Sequence, residues 1–100
     1  MQQDIFKKES VKLLISALAS IESEQECRML LEDMLSTKEI LDIAQRVEVA
    51  KMLSEGHVYS KIVEKTGAST TTISRVNRSY TYGAGGYTRM LKRFKKNGEE

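Results

Sequence analysis

The chain has no proline and no tryptophan, one cysteine and one histidine, and its glycines all lie in the second half. Proline and glycine interrupt helices most strongly, so their scarcity predicts a mostly helical protein. A single cysteine, Cys27, excludes an internal disulfide and indicates a reducing compartment. With His57 as the single histidine, too few ligands remain for a zinc site of cysteine and histidine, and we expect no bound metal.

Long apolar runs are also missing, and none approaches the roughly 18 residues that a membrane-spanning helix requires. The segment Met1-Gln2-Gln3-Asp4 lacks the basic start and the small-residue cleavage site of a secretory signal. We therefore expect a cytoplasmic protein without a membrane partner. At 100 residues, of which 40% are hydrophobic and 30% charged, the chain fits one globular domain over residues 1–100.

Sequence patterns that indicate catalysis are absent too. The chain has no phosphate-binding loop, no dinucleotide-binding fingerprint and no pair of carboxylates in a setting that suggests a cleft. We expect no catalytic residues, no cofactor and no enzymatic activity.

The net charge of +2 hides an uneven distribution. Residues 1–60 carry 7 basic and 11 acidic side chains, a balance of −4, whereas residues 61–100 carry 9 basic and 3 acidic ones, a balance of +6. Opposite balances in two parts of one small chain suggest two tasks, and a basic part is typical of a protein that binds a polyanion such as nucleic acid. Chance variation in the charge of helical surfaces is the alternative.

Apolar periodicity and capping signals predict six helices. The first covers residues 4–21. The second follows a capping box in which the Ser23 hydroxyl accepts from the amide of Glu26 and the Glu26 carboxylate reaches back, and it runs to about residue 35. The third runs to Glu55 and ends at Gly56, where a left-handed cap is expected. The others run from residue 59 or 60 to Gly67, from residue 69 or 70 to about residue 80, and from residue 87 to residue 96.

The apolar faces of the first and third helices are wider than one intramolecular contact needs. The inward-facing residues expected on the first three helices are Phe6, Leu13, Leu14, Ala17, Leu18, Ile21, Met29, Leu30, Met34, Leu35, Ile40, Ile43, Ala44, Val47, Ala50 and Leu53. A chain of this size buries only about 60–68% of its unfolded surface. We therefore predict a homodimer with its dimerisation core in residues 1–56. A monomer with exposed apolar residues is the alternative.

Residues 59–80 have the pattern of a helix-turn-helix. Gly67 can supply the positive φ that a tight turn between two crossing helices requires. Ile62 and Val63 are expected to point into the angle between the helices, and Ile73 and Val76 to return the second helix to the same small core.

The outer face of this segment carries hydroxyl groups and cations. Short hydroxyl side chains bond to bases or phosphates, arginine suits phosphate or guanine, and no acidic residue occurs from residue 65 to residue 96. We expect Thr70, Thr71 and Thr72 to face the bases of double-stranded DNA and Asn77 to lie on or near the same face. The predicted DNA-binding residues are Ser60, Lys61, Ser69, Thr70, Thr71, Thr72, Ser74, Arg75 and Arg78. An ordinary polar helix pair is the alternative.

The last predicted helix, residues 87–97, is strongly basic. Its run of Lys92, Arg93, Lys95 and Lys96 is either a solvated face or a phosphate contact. Three tyrosines precede or begin this helix, and they either pack it onto the rest of the domain or stack on bases. These tyrosines are Tyr80, Tyr82 and Tyr87.

From about residue 34 to residue 80 the sequence resembles the Trp repressor family, and the whole chain resembles the bacterial Trp repressor-like branch called YerC/YecD. The motifs that carry the resemblance are Met34-Leu35-Ser36, Gln45-Arg46-Val47, Gly67-Ala68, Thr72-Ile73-Ser74-Arg75, Asn77 and Ser79. The resemblance implies an all-α, interlocked homodimer with a helix-turn-helix on each subunit, which binds two half-sites of operator DNA.

The resemblance also implies a ligand pocket. Its residues in this chain would be Ser36, Arg46, Arg75 and Ser79. Val76 departs from the family, which has glycine after the second arginine, and a side chain there fills room that an indole ring needs. We therefore expect that tryptophan is not a corepressor of this protein. An ion pair of Arg46 with Asp42 or Glu48 is the alternative role for that arginine.

Together these features predict a sequence-specific transcriptional regulator, a repressor by the family pattern, which acts as a homodimer on DNA. One alternative is a protein-interaction module that partners another regulator. The other is a repressor that needs an unknown small-molecule corepressor.

Overall fold

The computed structural model describes residues 4–96 and confirms the all-α class: this part of the chain contains helices and no β-strand. A short 3-10 turn, Ile5–Lys7, precedes six α-helices. They are α1 (Glu9–Ala19), α2 (Glu24–Met34), α3 (Thr37–Ser54), α4 (Tyr59–Thr66), α5 (Thr70–Tyr82) and α6 (Gly86–Lys96). In this range no helix is both long enough and apolar enough to cross a bilayer. The chain divides into two compact units, one up to Thr37 and the other from Lys38 onward.

The first unit begins with two short helical pieces instead of the continuous helix that we predicted over residues 4–21. The Asp4 carboxylate accepts from the backbone amide of Phe6 at 3.1 Å and caps the 3-10 turn. Lys8 is then extended, with φ −71° and ψ 138°, which separates this turn from α1. Helix α1 ends at Ala19, where Ser20 closes the last turn with backbone and side-chain hydrogen bonds to Ala17.

The cap predicted before α2 forms at Ser23, and the Glu26 carboxylate reaches back as expected, although to the amide one residue before Ser23. The Ser23 hydroxyl accepts from the Glu26 amide at 3.0 Å, and the Glu26 carboxylate accepts from the amide of Glu22 at 3.0 Å. An Arg28–Glu32 ion pair at 3.0 Å spans one turn on the exposed side of this helix.

None of the side chains of residues 4–37 is fully buried, although several are half-buried. The expectation that Leu13, Phe6 and Met29 lie inside is wrong for the single chain, because they are 71%, 61% and 57% exposed. Exposed apolar residues are common singly, but on α1 Leu13, Leu14, Ile15 and Leu18 are exposed together, and Met29 and Met34 are exposed on α2. Much of the apolar surface of α1, and part of that of α2, thus remains unburied in the single chain.

The second unit contains the buried core. Helices α3 to α6 and the turn before α5 all contribute to it. Its buried residues are Val49, Ala50, Met52, Ile62, Ala68, Ile73, Val76 and Leu91.

The buried side of α3 differs from our prediction. Ala50 is buried and Leu53 is partly buried, as expected, but Val49 and Met52 complete the face in place of Ile43, which is 45% exposed. The apolar stripe expected from the sequence and the observed buried face of α3 overlap only at Ala50 and Leu53. The residues in the N-terminal half of α3 that we assigned to the core therefore lie outside it.

Helix α6 packs through one side. Leu91 is buried, and Tyr87, Met90 and Phe94 contact the core as partly buried residues. Tyr80, from the end of α5, joins them. Two of the three tyrosines therefore pack the last helix onto the domain, whereas Tyr82 is 83% exposed.

The ends of α3 and α4 form as predicted, at glycines with positive φ. At Gly56, with φ 84°, the amides of Gly56 and His57 return to the carbonyls of Leu53 and Met52, which is a Schellman ending. At Gly67, with φ 74°, the backbone amide donates a hydrogen bond to the Val63 carbonyl at 2.9 Å and closes α4.

Side chains then hold the turn after Gly67 in place. The Thr66 hydroxyl donates to the Ile62 carbonyl at 2.7 Å and accepts from the Ala68 amide at 3.1 Å. The Gln45 side-chain amide of α3 donates to the Thr66 carbonyl at 3.2 Å. The turn between α4 and α5 is therefore attached to α3 as well as to its own helix.

We expect Gly67→Ala to lower the free energy of unfolding by about 1–2 kcal/mol, because a Cβ is strained at positive φ even though no atom lies within 4 Å of it. Gly86→Ala is the matched control. That glycine lies at the start of α6 without positive φ and with equally open surroundings, so alanine there leaves stability unchanged or raises it. Urea unfolding followed by circular dichroism measures both. Equal effects of the two substitutions would contradict the strained turn.

Candidate nucleic-acid interface

The helix-turn-helix predicted from the sequence is present as α4, the turn at residues 67–69, and α5. Ile62 and Ile73 are fully buried and Val76 is 4% exposed, so these side chains join the two helices to the core. Val63, which we expected in the same angle, is 36% exposed. Adjacent residues of an α-helix point about 100° apart, and with Ile62 inside, Val63 has to turn away.

A polar contact also links the two helices. The side-chain amide of Asn77, in the middle of α5, donates to the hydroxyl of Tyr59, the first residue of α4, at 3.2 Å. Asn77 is half-buried and lies near the outer face, where it lines a groove with Ser74 and Arg78. This hydrogen bond was not predicted, because a contact between residues 18 positions apart leaves no local signal in the sequence.

The N-terminus of α5 uses two of the hydroxyl residues that we assigned to DNA. The Ser69 hydroxyl accepts from the Thr72 amide at 3.1 Å and donates to the Thr72 hydroxyl at 3.1 Å. This is a side-chain N-cap, as the sequence predicted for Ser69. Thr72 is half-buried, whereas Thr70 and Thr71 are exposed.

The other predicted DNA-binding residues lie on the surface. On α5, Thr71, Ser74, Arg75 and Arg78 are three or four residues apart and therefore share one side of the helix, opposite Ile73 and Val76. On α4, Ser60 and Lys61 are exposed in the first turn. The structure thus gives both helices polar outer residues, and on α5 they form a continuous stripe.

The electrostatics of this stripe favour an anion. Neither α5 nor α6 contains an acidic residue, and Glu64 is the single carboxylate of α4. Within residues 4–96, Lys61, Arg75 and Arg78 form no ion pair. The cations of the helix-turn-helix are therefore available to phosphate groups.

A shallow groove of about 530 Å³ runs beside the stripe. It is lined by Ser74 and Arg78, by the Tyr59–Asn77 pair, and by Tyr82. Tyr82 lies four residues after Arg78 on the same exposed side of α5, a position that the sequence reasoning left between packing and base contact.

The predicted ligand residues are only partly brought together. Arg46, Arg75 and Ser79 line one cleft of about 220 Å³ with Thr72, Val76 and Tyr87. Ser36 belongs to the other unit, between α2 and α3. Val76 is almost fully buried and forms part of the cleft wall, so its side chain occupies space in the cleft.

The alternative ion pair of Arg46 is not formed. Asp42 accepts from Lys38 at 2.9 Å, and Arg46 makes no ion pair in the part of the chain that the structure describes. In the same range no three histidine, cysteine or acidic side chains gather as ligands for a metal ion.

Comparisons with known proteins agree with this geometry. The family model described as Trp repressor protein matches residues 9–95. The uncharacterized protein YerC of Bacillus subtilis (strain 168) is 42% identical over 95 residues, which cover 95% of this chain and 91% of that protein. A crystal structure of a TrpR-like protein from Eubacterium eligens ATCC 27750 superposes with a TM-score of 0.88 at 46% identity, covering 93% of this chain and 96% of that one.

A crystal structure of a proposed Trp repressor from Staphylococcus aureus superposes with a TM-score of 0.86 at 35% identity and covers 94% of this chain and 96% of that one. The family match spans most of the sequence, and both structures share the arrangement of helices. The chain belongs to the Trp repressor family.

Proposed function

We propose that the protein is a sequence-specific transcriptional regulator that binds double-stranded DNA as a homodimer through α4 and α5. Family and fold support the coarser statement of a helix-turn-helix DNA-binding regulator, a regulatory rather than an enzymatic class. The observation that carries the proposal is the outer stripe of α5, which combines hydroxyl groups with unpaired arginines, lacks carboxylates, and is held outward by Ile73 and Val76.

Base reading is assigned to the start of α5. Thr70 and Thr71 are exposed and short enough to approach base edges in a major groove, where a threonine methyl can also contact thymine. Thr72 was predicted with them; its hydroxyl accepts from Ser69 and keeps its own O–H to donate, but the side chain is half-buried and thus less accessible than Thr70 and Thr71. Thr71 is the first residue of the stripe, next to the N-terminus of α5, and is the strongest candidate for sequence preference.

Phosphate contacts are assigned to the flanking residues. Ser60 and Lys61 are exposed at the start of α4, and Arg75 and Arg78 follow Thr71 along α5. Contacts of this kind position the protein on the duplex and carry no sequence information of their own.

The homodimer is proposed from the unburied stripes of the first unit. A second copy of the chain can cover the apolar residues of α1 and α2 that this copy leaves exposed. Two-fold symmetry then presents two copies of α5 to successive major grooves, about 34 Å apart.

Repression in the bacterial cytoplasm completes the proposal. The Staphylococcus aureus neighbour is described as a proposed Trp repressor, and we extend that role to this chain. Chromosomal DNA places a bacterial regulator in the cytoplasm. Because Val76 lines the cleft next to Arg46 and Arg75, we propose that tryptophan is not the corepressor.

We expect Thr71→Val to change the preferred DNA sequence, because it removes a hydroxyl from the base-reading face and keeps the shape of the side chain. Lys61→Ala, the comparison variant, weakens binding to all sequences alike and makes the negative slope of log affinity against log salt shallower by about 0.9. Fluorescence anisotropy at several salt concentrations measures both. No binding of duplex DNA at low salt would contradict the proposal and favour a protein-interaction module.

We expect the wild-type chain to sediment as a dimer and Leu13→Glu to shift it toward monomer, because a charge on the exposed stripe of α1 opposes its burial. Lys8→Glu, a charge change just before α1 at an exposed residue outside the stripe, leaves the dimer intact. Sedimentation equilibrium gives the mass, and circular dichroism shows whether helices persist. A wild-type chain that is monomeric at micromolar concentration would contradict the dimer.

A further inference from the structure

Helix α6 has two faces with the same residue spacing. Its inner face, with Tyr87, Met90, Leu91 and Phe94, contacts the core. Two residues further along the sequence, cations recur at the same intervals and form a second stripe. This stripe, here called the α6 basic stripe, consists of Arg89, Lys92, Arg93 and Lys96, all exposed.

The four cations of the α6 basic stripe line one shallow groove of about 610 Å³. The hydroxyl residues Thr81, from the end of α5, and Thr88 line it with them. No carboxylate is among the residues that form its wall, and within residues 4–96 none of the four cations makes an ion pair.

The stripe brings like charges close together on its own helix. Arg89 with Arg93, and Lys92 with Lys96, are like charges four residues apart, a spacing at which they repel one another. On other helices of the chain cations at this spacing have acidic partners: Arg28–Glu32 at 3.0 Å and Lys51–Glu55 at 2.9 Å. In α6, by contrast, the cations at this spacing face other cations.

Glu55, a nearby carboxylate, does not compensate the stripe. It lines a neighbouring cavity with Lys51 and Lys92. The hydrogen bond from Lys51 holds the pKa of Glu55 below its usual value, and Glu55 also lies 3.4 Å from His57. Glu55 is already paired with Lys51 and forms no ion pair with Lys92, so it does not neutralise the charge of Lys92.

We infer that the α6 basic stripe binds the phosphate backbone of duplex DNA and adds affinity that does not depend on sequence. Arg89 and Lys96, the first and last cations of the stripe, lie about 10 Å apart along the helix axis, so the stripe is long enough to contact more than one phosphate of a strand. A groove of hydroxyls and cations without carboxylates is the chemistry of a phosphate contact. The inference rests on the proposed function and extends it to residues outside α4 and α5.

The test compares the wild-type chain with the triple variant Lys92→Gln, Arg93→Gln and Lys96→Gln. Anisotropy titrations with two duplexes of unrelated sequence, from about 50 to about 200 mM salt, give affinity and salt slope. We expect the triple variant to lose roughly tenfold or more in affinity at about 100 mM salt, by the same factor on both duplexes. Its negative salt slope becomes shallower by up to about 2.7, which corresponds to three phosphates.

The matched control is Lys7→Gln, Lys8→Gln and Lys12→Gln, which removes the same charge from exposed positions of the first unit. The inference predicts a much smaller change for this control, and circular dichroism confirms that both variants stay helical. Equal changes in the two triple variants would show a net-charge effect and overturn the inference, as would an unchanged slope in the α6 variant.

An error in the proposed function itself would give a different outcome in these titrations. If the wild-type chain binds neither duplex, both the proposed function and this inference are wrong. Binding of poly-L-glutamate by the wild-type chain and not by the α6 triple variant, with no effect on DNA affinity, would assign the stripe to an acidic protein segment and overturn the DNA contact.

Discussion

The structure depends on the apolar contact between α4 and α5 across the turn at Gly67. Ile62 and Ile73 are fully buried and Val76 nearly so, and together they orient α5 against α3 and α6. The side of α5 that faces them cannot face solvent, so the opposite side must, and this side carries Thr71, Arg75 and Arg78. The polar outer stripe is therefore a direct consequence of the small core, which the Tyr59–Asn77 hydrogen bond supplements at 3.2 Å.

Local features of the fold could be predicted from the sequence because their causes are local. The Ser23 and Ser69 caps, the glycine endings at residues 56 and 67, and the helix-turn-helix itself depend on residues only a few positions apart. The break at Lys8 was missed, although it is local, since the apolar periodicity runs on across it. The family resemblance, stated from short motifs, was confirmed by a match over most of the chain.

Tertiary features were harder to predict. The buried face of α3, the exposure of Val63 and the contact of Asn77 with Tyr59 depend on which helix packs beside them, and a single helical pattern does not contain that information. The bond from Ser69 to the Thr72 hydroxyl was not predicted, although the cap at Ser69 was. The expected apolar faces of α1 and α2 are real as stripes, but one copy of the chain does not bury them. Such stripes accord with the proposed second copy.

Selection of binding sites from a random duplex pool tests most directly whether two symmetric copies of α5 read DNA. We expect a two-fold symmetric consensus whose half-sites have centres about 10 base pairs apart, one helical turn of B-form DNA. An enriched sequence without two-fold symmetry would contradict the paired reading helices. A pool that shows no enrichment would contradict sequence-specific binding altogether.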